Sequence, residues 1–121
     1  MLLMYTNPED TLKMSKQEIQ EIELKHKMLL NDLKQKNQIL SGSGLLLPND
    51  TKTIHVNDDA IDGPLPVVDP RKQMTGYYIV ECKTEQEALG VARAILDYHV
   101  TDIEVRGIHN TVSQMLNGNT L

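Results

Sequence analysis

The stretch GYYIVECKTEQEALGVARAIL, residues 76–96, decides the fold. Residues 76–82 are rich in strand formers and predict a central strand. Thr84 and Glu87 then stand at capping-box spacing, so a helix begins there. This helix carries one apolar stripe, formed by Ala88, Val91, Ala92 and Ile95. We therefore predict a strand followed by a helix that packs through one face.

A second helix is predicted upstream of this unit. Ser15 and Glu18 repeat the capping-box form, and the helix is expected to end near Asn37. Its apolar positions recur at steps of three and four residues and fall within an arc of roughly 100°. They are Ile19, Ile22, His26, Leu29, Leu30 and Leu33. One side of this helix is therefore expected to be buried.

Short strands account for most of the remaining sequence. The apolar run at residues 1–5 is typical of a strand buried on both faces. Residues 39–46 predict a strand whose glycines permit a bulge or a close ligand approach. Residues 51–56 alternate as in a half-buried strand, and Ile103 and Val105 mark a last strand. Residues 57–59 are expected to reverse the chain, and the three prolines of residues 62–70 predict a partly packed loop.

The order of these elements favours an α+β fold of the ferredoxin-like sandwich type, with two helices on one face of an antiparallel sheet. The opposite face of the sheet also needs a cover if it is apolar. A second copy of the chain is the simplest cover for so small a protein. We therefore expect a homodimer with two-fold symmetry.

Composition limits the classes of function. The 121 residues suffice for one domain, and a net charge of −5 argues against nucleic acid as a partner. The chain has no Phe or Trp, so the core rests on aliphatic side chains and Met. A single cysteine, Cys82, excludes an intramolecular disulfide and fits a reducing compartment. No apolar run is long enough for a membrane span, so we expect a cytoplasmic protein without a membrane partner.

His26 and Asp62 are the candidate catalytic residues. His26 lies in the middle of the apolar stripe, and a buried imidazole needs polar partners. A carboxylate such as that of Asp62 would fix the tautomer, raise the pKa of the histidine and lower that of the aspartate. The alternative is a satisfied core histidine, with Asp62 only forming the turn before Gly63 and Pro64.

Other residues are candidate ligand contacts. Ser43, between Gly42 and Gly44, could offer a hydroxyl and backbone N–H groups to an anion, although a bulge explains the glycines equally well. Tyr77 and Tyr78 point to opposite faces of their strand, so one can line a pocket while the other packs at an interface. His55, His99 and His109 show no metal-ligand spacing, and we predict neither a metal nor a cofactor.

The order and spacing of several short motifs resemble the YCII-related (D-G-P-F) family over residues 1–108. The motifs are the helix carrying His26, Gly42-Ser43-Gly44-Leu45, Asp62-Gly63-Pro64-Leu65, Gly76-Tyr77-Tyr78-Ile79-Val80, Glu87-Ala88 and Glu104-Val105-Arg106. The resemblance implies a ferredoxin-like subunit that dimerises into an α/β barrel, with a pocket near the interface and a His–Asp pair. His26 and Asp62 occupy those two positions. Leu65, a further candidate ligand contact, stands where the family has Phe, and residues 109–121 form a C-terminal extension.

Two main functions remain open at this point. The first is a small-molecule-binding protein that acts as an enzyme, with His26 as general acid or base and Asp62 as its orienter, on a small polar substrate. The second is a non-catalytic ligand-sensing or regulatory dimer. A purely structural dimer without a pocket is a third possibility.

Overall fold

A computed structural model describes residues 1–45, 50–54, 60–64, 69–96, 100–108 and 116–118, with the backbone alone for residues 60–62. The fold is α+β, as predicted, with helices packed against an antiparallel sheet. The elements run in the order β1 Leu2–Thr6, α1 Pro8–Leu12, α2 Lys16–Gln35, β2 Ile39–Gly44, β3 Lys52–Ile54, β4 Ala60–Asp62, β5 Gln73–Val80, α3 Glu85–Leu96 and β6 Asp102–Val105.

Four strands form the main sheet in the order β2-β5-β1-β6, and every pair in it is antiparallel. Strand β5 is central, as its composition predicts, although it begins at Gln73 rather than Gly76. Pairing skips Thr75 on β5 and Leu40 on β2, so each strand has a bulge. Strands β3 and β4 form a separate two-stranded sheet.

The two long helices begin where their caps predict. The Ser15 hydroxyl accepts from the Glu18 N–H at 3.1 Å, and α2 ends at Gln35, shortly before Asn37 with its φ of 54°. The Thr84 hydroxyl accepts from the Glu87 N–H at 3.2 Å. The Glu87 carboxylate in turn accepts from the Lys83 N–H at 2.8 Å. Together these two bonds satisfy the N–H groups of Lys83 and Glu87 at the start of α3.

The hydrophobic core lies on one face of the main sheet, beneath α2 and α3. Its buried members are Leu2, Met4, Tyr78, Ala92, Ile95 and Val100. Leu3 and Tyr5 alternate with the buried residues of β1 and are only half-buried. The expectation of a strand buried on both faces is therefore wrong for the single chain, because within the described ranges only one face of the sheet carries helices.

Several local features differ from the sequence predictions. Helix α1 was not predicted; Asn7 caps it by accepting from the Glu9 N–H at 3.1 Å, and Pro8 occupies its first turn. Ile54 is 76% exposed, so β3 does not bury that side chain. Strand β4 was not predicted; it pairs with β3, and its last residue, Asp62, is the first residue of the expected loop. Residues 55–59, including the predicted turn, lie outside the described residues.

Among the described residues, no helix is both long enough and apolar enough to cross a bilayer.

Candidate functional site

A cleft of about 930 Å³ lies between the N-terminal half of α2 and the helix-covered face of the sheet. Met4 and Thr6 of β1 and Thr75 and Tyr78 of β5 line it on the sheet side. Helix α1 and the start of α2 line its other walls. Its volume falls in the range of small-molecule sites.

The cleft exists because α2 packs closely on the sheet only through its C-terminal half. Leu33 is 2% exposed, and Leu29 and Leu30 pack against the core. Toward the N-terminus Ile19 is 37% exposed and Ile22 is half-buried, although both belong to the same apolar stripe. The first half of the stripe therefore faces an open space rather than packed side chains.

His26 and Tyr78 meet at the wall of this cleft. Nδ1 of His26 lies 2.9 Å from the Tyr78 hydroxyl oxygen, and the two rings are 6.2 Å apart and inclined at 68°. The direction of the hydrogen bond depends on the tautomer. With a proton on Nδ1 the imidazole donates to the phenol oxygen; with the proton on Nε2 the phenol donates to the imidazole.

The Tyr78 ring is held in place by the sheet. It is 7% exposed and lies against Gly42 of the neighbouring strand, where a Cβ atom would come within 3 Å of the ring and of the Tyr77 carbonyl oxygen. Gly42 thus makes room for a tyrosine ring, whereas the sequence suggested a bulge or a ligand. Burial raises the pKa of the Tyr78 phenol, which therefore stays protonated at neutral pH.

Two hydroxyls lie further along the same sheet face. The Thr6 hydroxyl donates to the Thr75 hydroxyl at 3.2 Å, and both residues line the cleft. The bulge at Thr75 turns this side chain to the helix side, next to Gly76. Thr6 and Thr75 were not singled out from the sequence, because a bulge position carries no clear sequence signal.

Charged groups lie only at the border of the cleft, as far as the described side chains extend. Glu23 and Lys27 of α2 touch it and are both exposed. No charged or polar side chain among the described residues is fully buried, apart from the tyrosine counted with the core. The lining is otherwise mostly aliphatic, with Met4, Ile22, Leu30 and Val100 among its members.

The structure places the predicted site residues in different locations. His26 and Tyr78 come together, and Ser43 and Gly44 line the edge of the cleft. The Ser43 hydroxyl donates to the Gly44 carbonyl oxygen at 2.8 Å. Tyr77 pairs across from Ser43, on the alternate side of β5 from Tyr78, so its side chain is directed away from the helices.

The remaining predicted site residues are only partly described. Asp62 ends β4, where its backbone pairs with Lys52, but its side chain lies outside the described part of the structure. Leu65 also lies outside the described residues. Pairing of Asp62 with His26 therefore stays a prediction, and Tyr78 is the partner of His26 that the sequence reasoning missed.

Within the described ranges, no cluster of three or more His, Cys, Asp or Glu side chains is arranged to hold a metal ion. Comparison with models of known protein families gives no match, and no curated protein matches the sequence. The resemblance to YCII-related proteins accordingly remains an interpretation of the motifs.

Proposed function

We propose that the chain binds a small organic molecule in the cleft under α2, with His26 and Tyr78 as its polar contact. The observation that carries this proposal is the 2.9 Å hydrogen bond between the two side chains at the wall of a cleft of about 930 Å³. A mostly apolar pocket with a few convergent polar groups is the usual form of a ligand site.

Acid–base catalysis at His26 is the second candidate, and the same hydrogen bond supports it. A phenol that stays neutral can accept from the imidazole or donate to it, so Tyr78 can follow a change in the protonation of His26 by rotating its hydroxyl. Asp62 as orienter of the imidazole is part of this candidate. A non-catalytic sensing role needs the same cleft but no proton transfer.

The wider architecture is proposed to be a ferredoxin-like sandwich of the YCII-related type that forms a homodimer. The strand order β2-β5-β1-β6 and the helices on one face support the ferredoxin-like plan. The opposite sheet face, on which the described part of the chain places no helix, carries four half-buried side chains, namely Leu3, Tyr5, Tyr77 and Ile79. Their partial burial supports a second copy of the chain as their cover. Sedimentation should then give twice the chain mass of 13.7 kDa, and Tyr77→Asp should shift it toward one chain.

Ligand binding is tested by filling the cleft. Ile22→Trp places a large side chain in the space, and Leu24→Trp is the matched control because Leu24 is 58% exposed on the same helix. Mass spectrometry of small molecules released from each purified protein should detect a compound with the wild type and Leu24→Trp, and lose it with Ile22→Trp. Equal recovery from all three proteins would show that the cleft is not the binding site.

Catalysis is then separated from binding with His26→Gln. Glutamine keeps a hydrogen-bonding group near Tyr78 but cannot act as a base at neutral pH. If the released compound is converted by the wild type, this variant should retain binding and lose turnover by at least a hundredfold. Binding without any chemical change in the wild type favours the sensing role.

A further inference from the structure

The interior of the cleft and its border differ in chemistry. The two charged residues that line it, Glu23 and Lys27, are exposed on α2, whereas Met4 is 6% exposed and Ile22 and Leu30 are partly buried. Glu23 and Lys27 are also four residues apart on one helix, a spacing at which opposite charges offset each other. Apart from His26, the described lining residues therefore present no unbalanced charge to an ionic ligand.

The hydroxyls deeper in the cleft do not require a polar ligand either. Thr6 and Thr75 hydrogen-bond to each other at 3.2 Å and are partly buried. An ionic group placed among these side chains would lose its hydration without gaining an opposite charge, which is costly. An uncharged, apolar group would instead replace water against aliphatic side chains.

The Tyr78 hydroxyl is suited to one particular kind of polar group. When Nδ1 of His26 carries a proton and donates to the phenol oxygen, the phenol proton is left to donate to a third atom. Because burial keeps the phenol protonated, that third atom is an acceptor such as a carbonyl oxygen.

From these contacts we infer that the ligand is an uncharged, predominantly apolar molecule with a single carbonyl-type acceptor that binds at Tyr78. Its aliphatic or ring portion lies along Met4, Ile22 and Leu30. This inference rests on the proposed function and narrows it, since the sequence suggested a small polar substrate. It also specifies Tyr78, rather than His26 alone, as the residue that recognises the ligand.

A homologous series of ketones tests the ligand class. Binding of 2-pentanone through 2-nonanone to the full chain is measured by calorimetry, and the n-alkanoates of equal carbon number serve as charged counterparts. Each added methylene should tighten ketone binding about fourfold, or about 200-fold across the series, because each buries a CH₂ group. The alkanoates should bind at least tenfold more weakly than ketones of the same length.

Two variants locate the binding and its polar contact. Tyr78→Phe should weaken binding of the longest ketone about five- to tenfold while the increment per methylene is unchanged, because only the hydrogen bond is lost. Ile22→Trp should abolish binding of the whole series, and Leu24→Trp should not. A flat dependence on chain length, or equal affinity for the alkanoates, would overturn the inference.

The measurements distinguish a wrong ligand class from a wrong proposed function. If alkanoates or short hydroxy acids bind more tightly than the ketones, and Ile22→Trp blocks them, the cleft is a ligand site but the inferred ligand class is wrong. If neither series binds and no compound co-purifies with the wild type, the proposed function fails together with the inference.

Discussion

The same face of one sheet is covered by two helices in different ways. Under α3 the side chains are tightly packed: Leu2 and Ile95 are 0% exposed and Ala92 is 5% exposed. Under the first half of α2 the sheet is separated from the helix by a cleft, and Ile19 remains 37% exposed. Both helices begin at a capping Ser or Thr with Glu three residues later, and both carry one apolar stripe, so the sequence pattern alone does not separate a closed core from an open site.

The residues between helix and sheet explain the difference. Helix α3 presents Ala92 to the sheet, and so small a side chain lets the two backbones approach. Helix α2 presents His26, which meets the Tyr78 ring below it. These two rings, inclined at 68° to each other, lie between helix and sheet and hold the helix away from the strands. A polar residue in an apolar stripe is thus the feature that marks the open region.

The largest expected effect contrasts two isoleucines. Ile95→Ala removes a fully buried side chain from the packed region and should lower the free energy of unfolding by about 2–5 kcal/mol. Ile22→Ala, in the cleft, should cost less than about 1 kcal/mol because the side chain already borders open space. Urea unfolding measures both, and equal losses would show that the two regions are packed alike.

A second contrast concerns two glycines of β2. Gly42→Ala would place a Cβ atom against the Tyr78 ring and the Tyr77 carbonyl oxygen, so we expect a loss of about 1–3 kcal/mol and displacement of Tyr78. Gly44→Ala is the control, because its Cβ would meet only the Thr75 carbonyl oxygen at 4.0 Å. Unfolding midpoints and the NMR signals of the His26 ring report the two effects. Equal losses of stability in the two variants would contradict the claim that Gly42 makes room for the Tyr78 ring.

The third contrast compares neighbouring tyrosines on opposite faces of β5. Tyr78→Phe removes the hydroxyl bonded to His26 and should cost about 1 kcal/mol, with a changed tautomer balance of the imidazole. Tyr77→Phe, directed away from the helices, should leave the nitrogen shifts of His26 unchanged. Nitrogen-15 NMR of the histidine rings distinguishes these outcomes, and a His26 signal that ignores Tyr78→Phe would argue against the hydrogen bond.

The smallest effect concerns the turn before β5, outside both regions. The Arg71 guanidinium and backbone N–H donate to Asp69 and lower the pKa of its carboxyl to about 2, below its ordinary value of 3.8. The ion pair therefore stabilises the fold above about pH 4, and this contribution is lost as the pH falls through about 2. Asp69→Asn should reduce the urea midpoint slightly at pH 5 and by less at pH 2. If the difference in urea midpoint between wild type and Asp69→Asn grew toward low pH, it would contradict the stabilising role of the ion pair.

Much of the fold follows from local sequence signals. The structure confirms the elements that depend on short-range spacing. These are both caps, both long helices, the central strand β5 and the strand at Ile103 and Val105. Helix α1 was not predicted, although Pro is favoured in the first turn of a helix.

The candidate site was less predictable. His26 was identified because an imidazole on an apolar stripe needs a polar partner, but its contact with Tyr78 is set by the packing of α2 on β5, between residues 52 positions apart. The need for Gly42 likewise arises from the neighbouring strand and is invisible in local sequence. The role of Asp62 stays a prediction, because its side chain lies outside the described part of the structure.

Xenon under pressure offers the most direct test of the contrast between the two regions, because this atom enters apolar cavities and is excluded from packed cores. We expect the methyl NMR signals of Met4, Ile22 and Leu30 to shift with xenon pressure, while those of Ala92 and Ile95 stay in place. Unchanged signals around the cleft, or equal shifts in both regions, would contradict the claim that the sheet is open beneath α2 and closed beneath α3.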